Sequence, residues 1–476
     1  MKKKYLQLIF IIAVTIFFQA SAFSLERVHP SDLTYKLIKL NPPVPNKTVL
    51  KNGMVIYALE DHELPIFTIN AVIKTGAIYV SEEKTGLASI TGSVMRSGGT
   101  KNMTWEEIDG KLEFIAGSVE TSIGSDSGSA ILSVMTKDID KGLKIFADVL
   151  MHPVFAQEKI DITKNQAIEA IRRENDNPGR VARREFRRLL YRDHPYGRKS
   201  TIESVSGITR EDIIAFHKKY YHPNNIMFGI SGDFNKGEIL DKIRSVFKDW
   251  KKKEIDFAEV PPVKKDLNRS VNYVYKDVKQ SVIRLGHMGL DFRNPDHYAV
   301  ILMNYILGGG GFQSRMMQDI RNDRGLAYSV WSYFQLGMRD IGVFASGSGT
   351  KLQSTITVIK RMEDIIKEMR ESPVKDEELK NAKEYIINSF VFKFTSIAQI
   401  VNRFLTFEYY GLPTSYLETY LENIRKVTKE DILRVAQKYL KPDQTVILVV
   451  GNKEKFEAPL NKFGPVNEIK LKSYKN

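Results

Sequence analysis

The sequence predicts an α+β fold of two homologous halves, each a mostly antiparallel sheet covered by helices. Three observations carry this. A segment near residue 208 recurs 219 positions later, strand-forming runs open each half with helical patterns after them, and 42% of the 476 residues are hydrophobic. At roughly 150 residues per domain, that length admits about two to four domains with sizeable cores.

The chain opens with Lys2, Lys3 and Lys4, an apolar run from Leu6 to Phe18, and Ala20-Ser21-Ala22. This is the layout of a secretory signal with a small-residue cleavage site, so residues 1–22 are expected to be removed. An uncleaved anchor is less well supported, because the run falls short of the ~20 apolar residues that span a bilayer. The expected product is exported, periplasmic or secreted, with no stable membrane span. Loss of the leader takes away three lysines and no acid, lowering the net charge from +14 to +11.

Strand signals follow at Met54–Leu59, Ile66–Lys74 and Val119–Val134, which alternate or run apolar with turn residues between them. His152-Pro153-Val154 then opens a charged amphipathic helix. Ile208-Thr209-Arg210-Glu211-Asp212-Ile213 reads as a helix start, with Thr209 as the cap and Asp212 as a shorter-armed version of the capping-box acid. Pro223 ends that helix, and Ile226–Ile230 follows as a buried strand. Lys251-Lys252-Lys253-Glu254, Pro261-Pro262 and Lys264-Lys265-Asp266 read as a charged, proline-bearing linker.

The second half repeats the order. Strands are expected at Val271–Tyr275, Ser281–His287 and Ile341–Gly347, and Ser372-Pro373-Val374 opens the counterpart of the earlier charged helix. Val427-Thr428-Lys429-Glu430-Asp431-Ile432 repeats the capped start. Tyr439, Pro442 and Gly451 fall where Tyr220, Pro223 and Gly232 stood, with no gap. The expected division is residues 23–256 and 257–476.

Composition limits the chemistry. Without a cysteine there is no disulfide, thiolate nucleophile, iron–sulfur cluster or Cys-ligated zinc, so a metal site must use His, Asp and Glu. The eight histidines contain no i,i+3 or i,i+4 pair, and they read as turn or surface residues. No Gly-x-Ser-x-Gly elbow supports a serine nucleophile at Ser89 or Ser93.

The motifs Leu50-Lys51-Asn52-Gly53-Met54, Gly86-Leu87-Ala88, Gly98-Gly99-Thr100, Leu307 to Phe312 and Arg321 to Tyr328 together resemble the pitrilysin/insulinase-type zinc peptidases over nearly the whole mature chain. The resemblance implies a clamshell of two such halves. It also implies a His-x-x-Glu-His motif after Gly-Leu-Ala, in which two histidines on one helix face hold zinc and the glutamate activates its water. Those positions here are Ser89, Gly92 and Ser93. A hydroxyl is a poor zinc ligand and glycine has no side chain to take a proton. Glu169 stands where the resemblance places the third ligand, but one carboxylate alone does not hold zinc. Glu120 replaces the edge-strand asparagine expected to face the substrate carbonyl.

In the second half, Arg321 and Tyr328 lie seven residues apart, matching the Arg/Tyr pair that the resemblance directs at the zinc-bound substrate. A guanidinium and a phenol suit the oxyanion that grows as water attacks a peptide carbonyl. From spacing alone the better reading is a helix-end ion pair and a core tyrosine, and it is the glycine-rich context of the resemblance that favours the functional one. Gly308, Gly309, Gly310 and Gly311 lack the Lys-Ser/Thr of a P-loop and are expected to form a flexible loop beside the substrate or the domain interface. Nine arginines between Arg172 and Arg198 could bind phosphates. No nucleic-acid motif accompanies them, so a solvated or partner-docking face is expected and nucleic acid is not.

The resulting expectation is a non-catalytic, zinc-free subunit of an exported heterodimeric metallopeptidase. It would bind peptide as an added strand and contribute Arg321 and Tyr328 to a homologous partner that carries the zinc. A peptide-binding scaffold or chaperone-like protein is the alternative, and a basic membrane-surface or polyanion binder ranks below both.

Overall fold

Period-two burial sets the sheets. Along Ile66–Ile73 the side chains of Phe67, Ile69, Ala71 and Ile73 are fully buried while their neighbours are not, as one covered sheet face requires. A computed structural model describes residues 42–474, so the leader expected at 1–22 lies outside the described residues. The first sheet contains β1 (Asn46–Val49), β2 (Val55–Glu60), β3 (Ile66–Ile73), β4 (Ser118–Ile123), β5 (Gly128–Met135) and β6 (Ile226–Gly232), in the order β1-β2-β6-β3-β5-β4. The second contains β7 (Ser270–Tyr275), β8 (Gln280–Met288), β9 (Ala327–Gln335), β10 (Val343–Lys351), β11 (Val446–Gly451) and β12 (Val466–Glu468), in the order β12-β7-β11-β8-β10-β9.

Five strands correspond one to one. β2/β6 and β7/β11 are the parallel pairs at matching places, and the three pairings beyond each are antiparallel. The duplicated sequence thus folds as a duplicated sheet, and β4 and β9 become equivalent edge strands.

The helices of the first segment are α1 (Leu87–Ser97), α2 (Trp105–Phe114), α3 (Ile139–Met151), α4 (Gln157–Arg172), α5 (Pro178–Tyr191), α6 (Ile202–Ser206), α7 (Arg210–Tyr220) and α8 (Lys236–Val246). Those of the second are α9 (His297–Asn304), α10 (Thr355–Glu371), α11 (Asp376–Ser389), α12 (Ile397–Tyr410), α13 (Tyr416–Lys426) and α14 (Lys429–Tyr439). The repeated caps are formed. The Thr209 hydroxyl accepts from Asp212 N at 3.2 Å, and Asp212 Oδ2 accepts from Thr209 N at 2.9 Å. Thr428 and Asp431 do the same for α14.

The two segments exchange a helix. α5 packs on β11 and β8 of the second sheet, and α12 packs on β6, β2 and β3 of the first. Val181, Ala182, Phe186 and Leu190 of α5 join Val274, Met288, Val343 and Leu448 in one core. In return, Val401 and Leu405 of α12 lie over Gly229 of β6, and Glu408 accepts from Tyr57 Oη at 2.7 Å and Lys47 Nζ at 2.8 Å. The exchanged helices begin 219 residues apart, the repeat interval found in the sequence. The stretch read as a linker contributes too, because Val263 and Leu267 are buried in the α5 core. Phe186→Ala is expected to cost about 3–5 kcal/mol in urea unfolding; a loss under about 1 kcal/mol would mean that α5 does not help hold the second sheet.

The reading of all histidines as turn or surface residues is corrected by four of them. His194, His217, His287 and His297 are buried. Apolar neighbours and local backbone partners suffice to hold a neutral imidazole inside, and spacing between histidines gives no sign of that. His287 donates from Nδ1 to Met288 O at 3.0 Å and accepts at Nε2 from Lys441 N at 3.0 Å, an arrangement only the neutral ring can make. His217 Nε2 lies 2.9 Å from Leu150 O. Burial pushes both pKa values down to about 4. The unfolded chain therefore binds protons first, and stability present above about pH 6.5 is expected to fall as pH drops toward about 4, by on the order of 3 kcal/mol per histidine. Urea midpoints unchanged between pH 7 and pH 5 would contradict this.

Candidate functional site

The positions where a metal-binding helix face was expected lie on α1. Ser89 and Ser93 are exposed one turn apart, and the Ser93 hydroxyl is drawn into the helix, donating to Ser89 O at 3.1 Å, while Ser97 Oγ donates to Ser93 O at 3.0 Å. Gly92 is buried against the edge strand. A Cβ there would meet Ile123 N at 2.4 Å and Ser122 C at 2.7 Å, and Thr121 Oγ1 donates to Gly92 O at 2.7 Å. The glycine therefore has a packing role: α1 lies closer to β4 than any side chain at position 92 allows.

Glu169 is on the exposed face of α4, paired with Arg172 at 2.5 Å. Glu120 is exposed on β4, on the face opposite the row of buried Val119 and Ile123 and half-buried Thr121 that meets α1. Among the described residues, no three His, Asp or Glu side chains form a group able to hold a metal ion. Ser89, Gly92, Ser93 and Glu169 do not fit zinc, and no reaction step is assigned to a metal on this chain.

Arg321 and Tyr328 are brought together. The helix α9 continues into a π-helical turn, Tyr305–Gly309, and a second π-helix spans Met317–Asp323. Such turns are uncommon and concentrate at functional sites. Arg321 projects from the second of them, Tyr328 from the start of β9, and Phe312 from the turn between. The guanidinium lies 4.4 Å from the Tyr328 ring centroid and 4.7 Å from that of Phe312. Tyr328 is 80% exposed and Phe312 59% exposed, so two cation–π contacts hold an arginine at the surface with its phenol neighbour open to solvent. Asp319, an acid on the same turn, is occupied by Arg361 Nη2 at 2.8 Å and Arg324 Nε at 3.0 Å. Burial raises the Asp319 pKa, but those hydrogen bonds outweigh it and hold the carboxyl below its usual range. Arg321 has no carboxylate partner among the described residues and is free to engage an oxyanion.

The expected flexible glycine loop is replaced by ordered helical turns, because Gly308 packs so tightly that a Cβ would touch Ser332 N of β9 at 2.6 Å. Gly309 closes the π-turn and Gly310 follows it. Gly311 takes the left-handed conformation at φ 59° and opens the turn that carries Phe312. Phe312 and the strand β9 were missed in the sequence. The alternation of Val330, Ser332 and Phe334 with Trp331 and Tyr333 was the signal available for the strand.

Comparison with known proteins gives concordant matches. The description "Insulinase (Peptidase family M16)" matches residues 55–202, and "Peptidase M16 inactive domain" matches residues 207–386. A Rickettsia felis protein named an uncharacterized zinc protease is 26% identical over 413 residues, covering 86% of this chain and 98% of that protein. The non-peptidase homolog YmxG of Helicobacter pylori is 25% identical over 408 residues, covering 84% and 92%. Among solved structures, a peptidase M16 inactive domain from Pseudomonas fluorescens superposes with a TM-score of 0.79 at 27% identity, covering 87% of this chain and 98% of that one.

Proposed function

Because the chain belongs to the insulinase (M16) peptidase family but has, among the described residues, no group of side chains fit to hold that family's metal, we propose that it is the non-catalytic subunit of a two-chain peptidase. A homologous partner with an intact His-x-x-Glu-His supplies zinc. This chain binds the peptide and presents Arg321 and Tyr328 to the scissile carbonyl in trans. The observation that carries the reading is the exposed Tyr328 phenol held beside an arginine with no acid partner among the described residues, on a chain whose α1 is closed against β4 at Gly92. The name of the H. pylori relative, a non-peptidase homolog, supports the same assignment.

The peptide would join an open sheet edge. β4 and β9 each pair on one side only, and an added strand binds through main-chain hydrogen bonds that tolerate many sequences. Export follows from the leader at residues 1–22, and no helix among the described residues is long and apolar enough to cross a membrane. The test is to purify the chain alone, a metal-bearing homologue from the same genome alone, and the two together, and to follow cleavage of an unfolded polypeptide. Activity is expected in the mixture and not in this chain. Cleavage by this chain alone, or a mixture no faster than the homologue, would overturn the proposal.

A further inference from the structure

Two adjoining cavities at the C-terminal end of β9 carry cations with no carboxylate partner among the described residues. The first, about 720 Å³, lies between α5 and the β8, β10 and β9 strands; the second, about 690 Å³, adjoins it, and Leu336 and Met338 line both. In the first cavity Arg183, Arg187 and Arg284 surround Trp331 and Tyr333. The Arg284 guanidinium stacks 4.5 Å from the Trp331 ring, and both rest over Gly347, where a Cβ would strike Trp331 at 2.7 Å and Arg284 at 2.8 Å. Arg284 Nε is buried with no hydrogen-bond partner among the described residues. Arg184 and Arg188 of the same helix are neutralised by Glu185, but nothing similar reaches the three cavity arginines.

The acids that line this cavity are already engaged. Asp340 accepts from Val263 N at 2.8 Å and Ile341 N at 2.6 Å, and Asp126 accepts from Tyr196 Oη at 2.6 Å. The second cavity is lined by no acid at all, and its Lys393 lies over the rings of Phe390 and Tyr420 at 5.5 and 5.2 Å. Arg403 beside it has a buried Nε without a partner. Burial lowers the pKa of Arg284 and of Lys393, and a cationic neighbour, Arg183 and Arg403 respectively, lowers each further. In the first cavity Arg183, Arg187, Arg284 and Arg339 outnumber Asp126 and Asp340, and the second holds no acid, so like charges crowded in partly dry sites favour an incoming anion.

The shape of the anion follows from β9. Trp331 and Tyr333 project from one face of this open edge strand, so a strand added beside it points alternate side chains at the same cavity. Several aromatic faces are already covered: Trp331 stacks on Tyr333 at 5.2 Å and carries Arg284, and Phe390 stacks on Tyr420 at 4.6 Å. We propose that Arg183, Arg187, Arg284, Lys393 and Arg403 bind the carboxylate side chains of an extended acidic polypeptide seated on β9. This rests on the peptide-binding role above and adds the class of substrate.

The test uses the full chain without a partner and two unstructured peptides of equal length, one with glutamate and one with glutamine at alternate positions. Fluorescence anisotropy at about 0.1 M salt should show at least roughly tenfold tighter binding of the glutamate peptide, as a few charge-assisted hydrogen bonds provide. Arg183→Gln with Arg187→Gln, both exposed residues whose replacement leaves the core intact, should remove most of that preference, and Lys393→Gln should reduce it. Equal affinity for the two peptides, or a preference that survives the double variant, would overturn the proposal. So would tighter binding of a single-stranded oligonucleotide or inorganic polyphosphate than of the glutamate peptide. Because no partner is present, a negative result here leaves the role of Arg321 and Tyr328 standing, and loss of that role leaves this result standing.

Discussion

Tyr328→Phe is expected to slow peptide hydrolysis by the proposed two-chain enzyme by about a hundredfold or more, the usual cost of losing one oxyanion donor. The substitution removes one hydroxyl and keeps the ring on which Arg321 stacks at 4.4 Å. The arginine therefore stays in place, and assembly with the partner should be unchanged on a sizing column. The loss should fall on kcat more than on KM, since the donor acts on charge that develops only in the transition state. Arg321→Ala should cost as much or more, because it removes a charge and also the group that holds the Tyr328 and Phe312 rings together. Full activity of an assembled complex carrying both changes would leave a peptide-binding scaffold as the better description.

The second large effect concerns α1. Gly92→Ala is expected to destabilise the chain by about 1–3 kcal/mol, although alanine is the better helix former by about 1 kcal/mol. The overpacking term wins because the colliding atoms, Ile123 N and Ser122 C, belong to the backbone of β4 and cannot swing aside. Restoring a metal motif by Ser89→His, Gly92→Glu and Ser93→His should be worse still. It requires α1 to move away from β4 and breaks the Thr121 hydrogen bond to Gly92 O. That triple variant should unfold earlier in urea than the parent and fail to bind zinc stoichiometrically. A variant as stable as the parent that holds zinc would show that the helix–strand contact yields easily.

Much of the architecture was legible because it rests on local chemistry. Thr209 with Asp212 and Thr428 with Asp431 announce the same capped helix twice, and the apolar runs after them can only be buried strands. The loss of metal ligands was legible for the same reason, since serine and glycine cannot do what imidazole and carboxylate do. What remained hidden depends on tertiary partners. The amphipathic pattern of α5 says that one face is buried but not that the face belongs to the other segment's sheet. The stripe of arginines on that helix reads as one solvated surface, whereas Arg184 is tied to Glu185 and Glu174 while Arg183 and Arg187 border a cavity. The π-turns at Tyr305–Gly309 and Met317–Asp323 have no periodicity to betray them, so a run of glycines looked like a loose loop. His287 sits on the central strand β8, and its burial is set by β10, β11 and Lys441, all far away in sequence.

The central claim is that this chain has given up the metal and kept the groups that act on the substrate. Metal analysis of the isolated polypeptide, purified without chelator and equilibrated with excess zinc before desalting, addresses that claim most directly. The account predicts zinc well below stoichiometric and no change in unfolding temperature on adding the ion. One tightly held zinc per chain, displaced by substituting Ser89, Ser93 or Glu169, would contradict it.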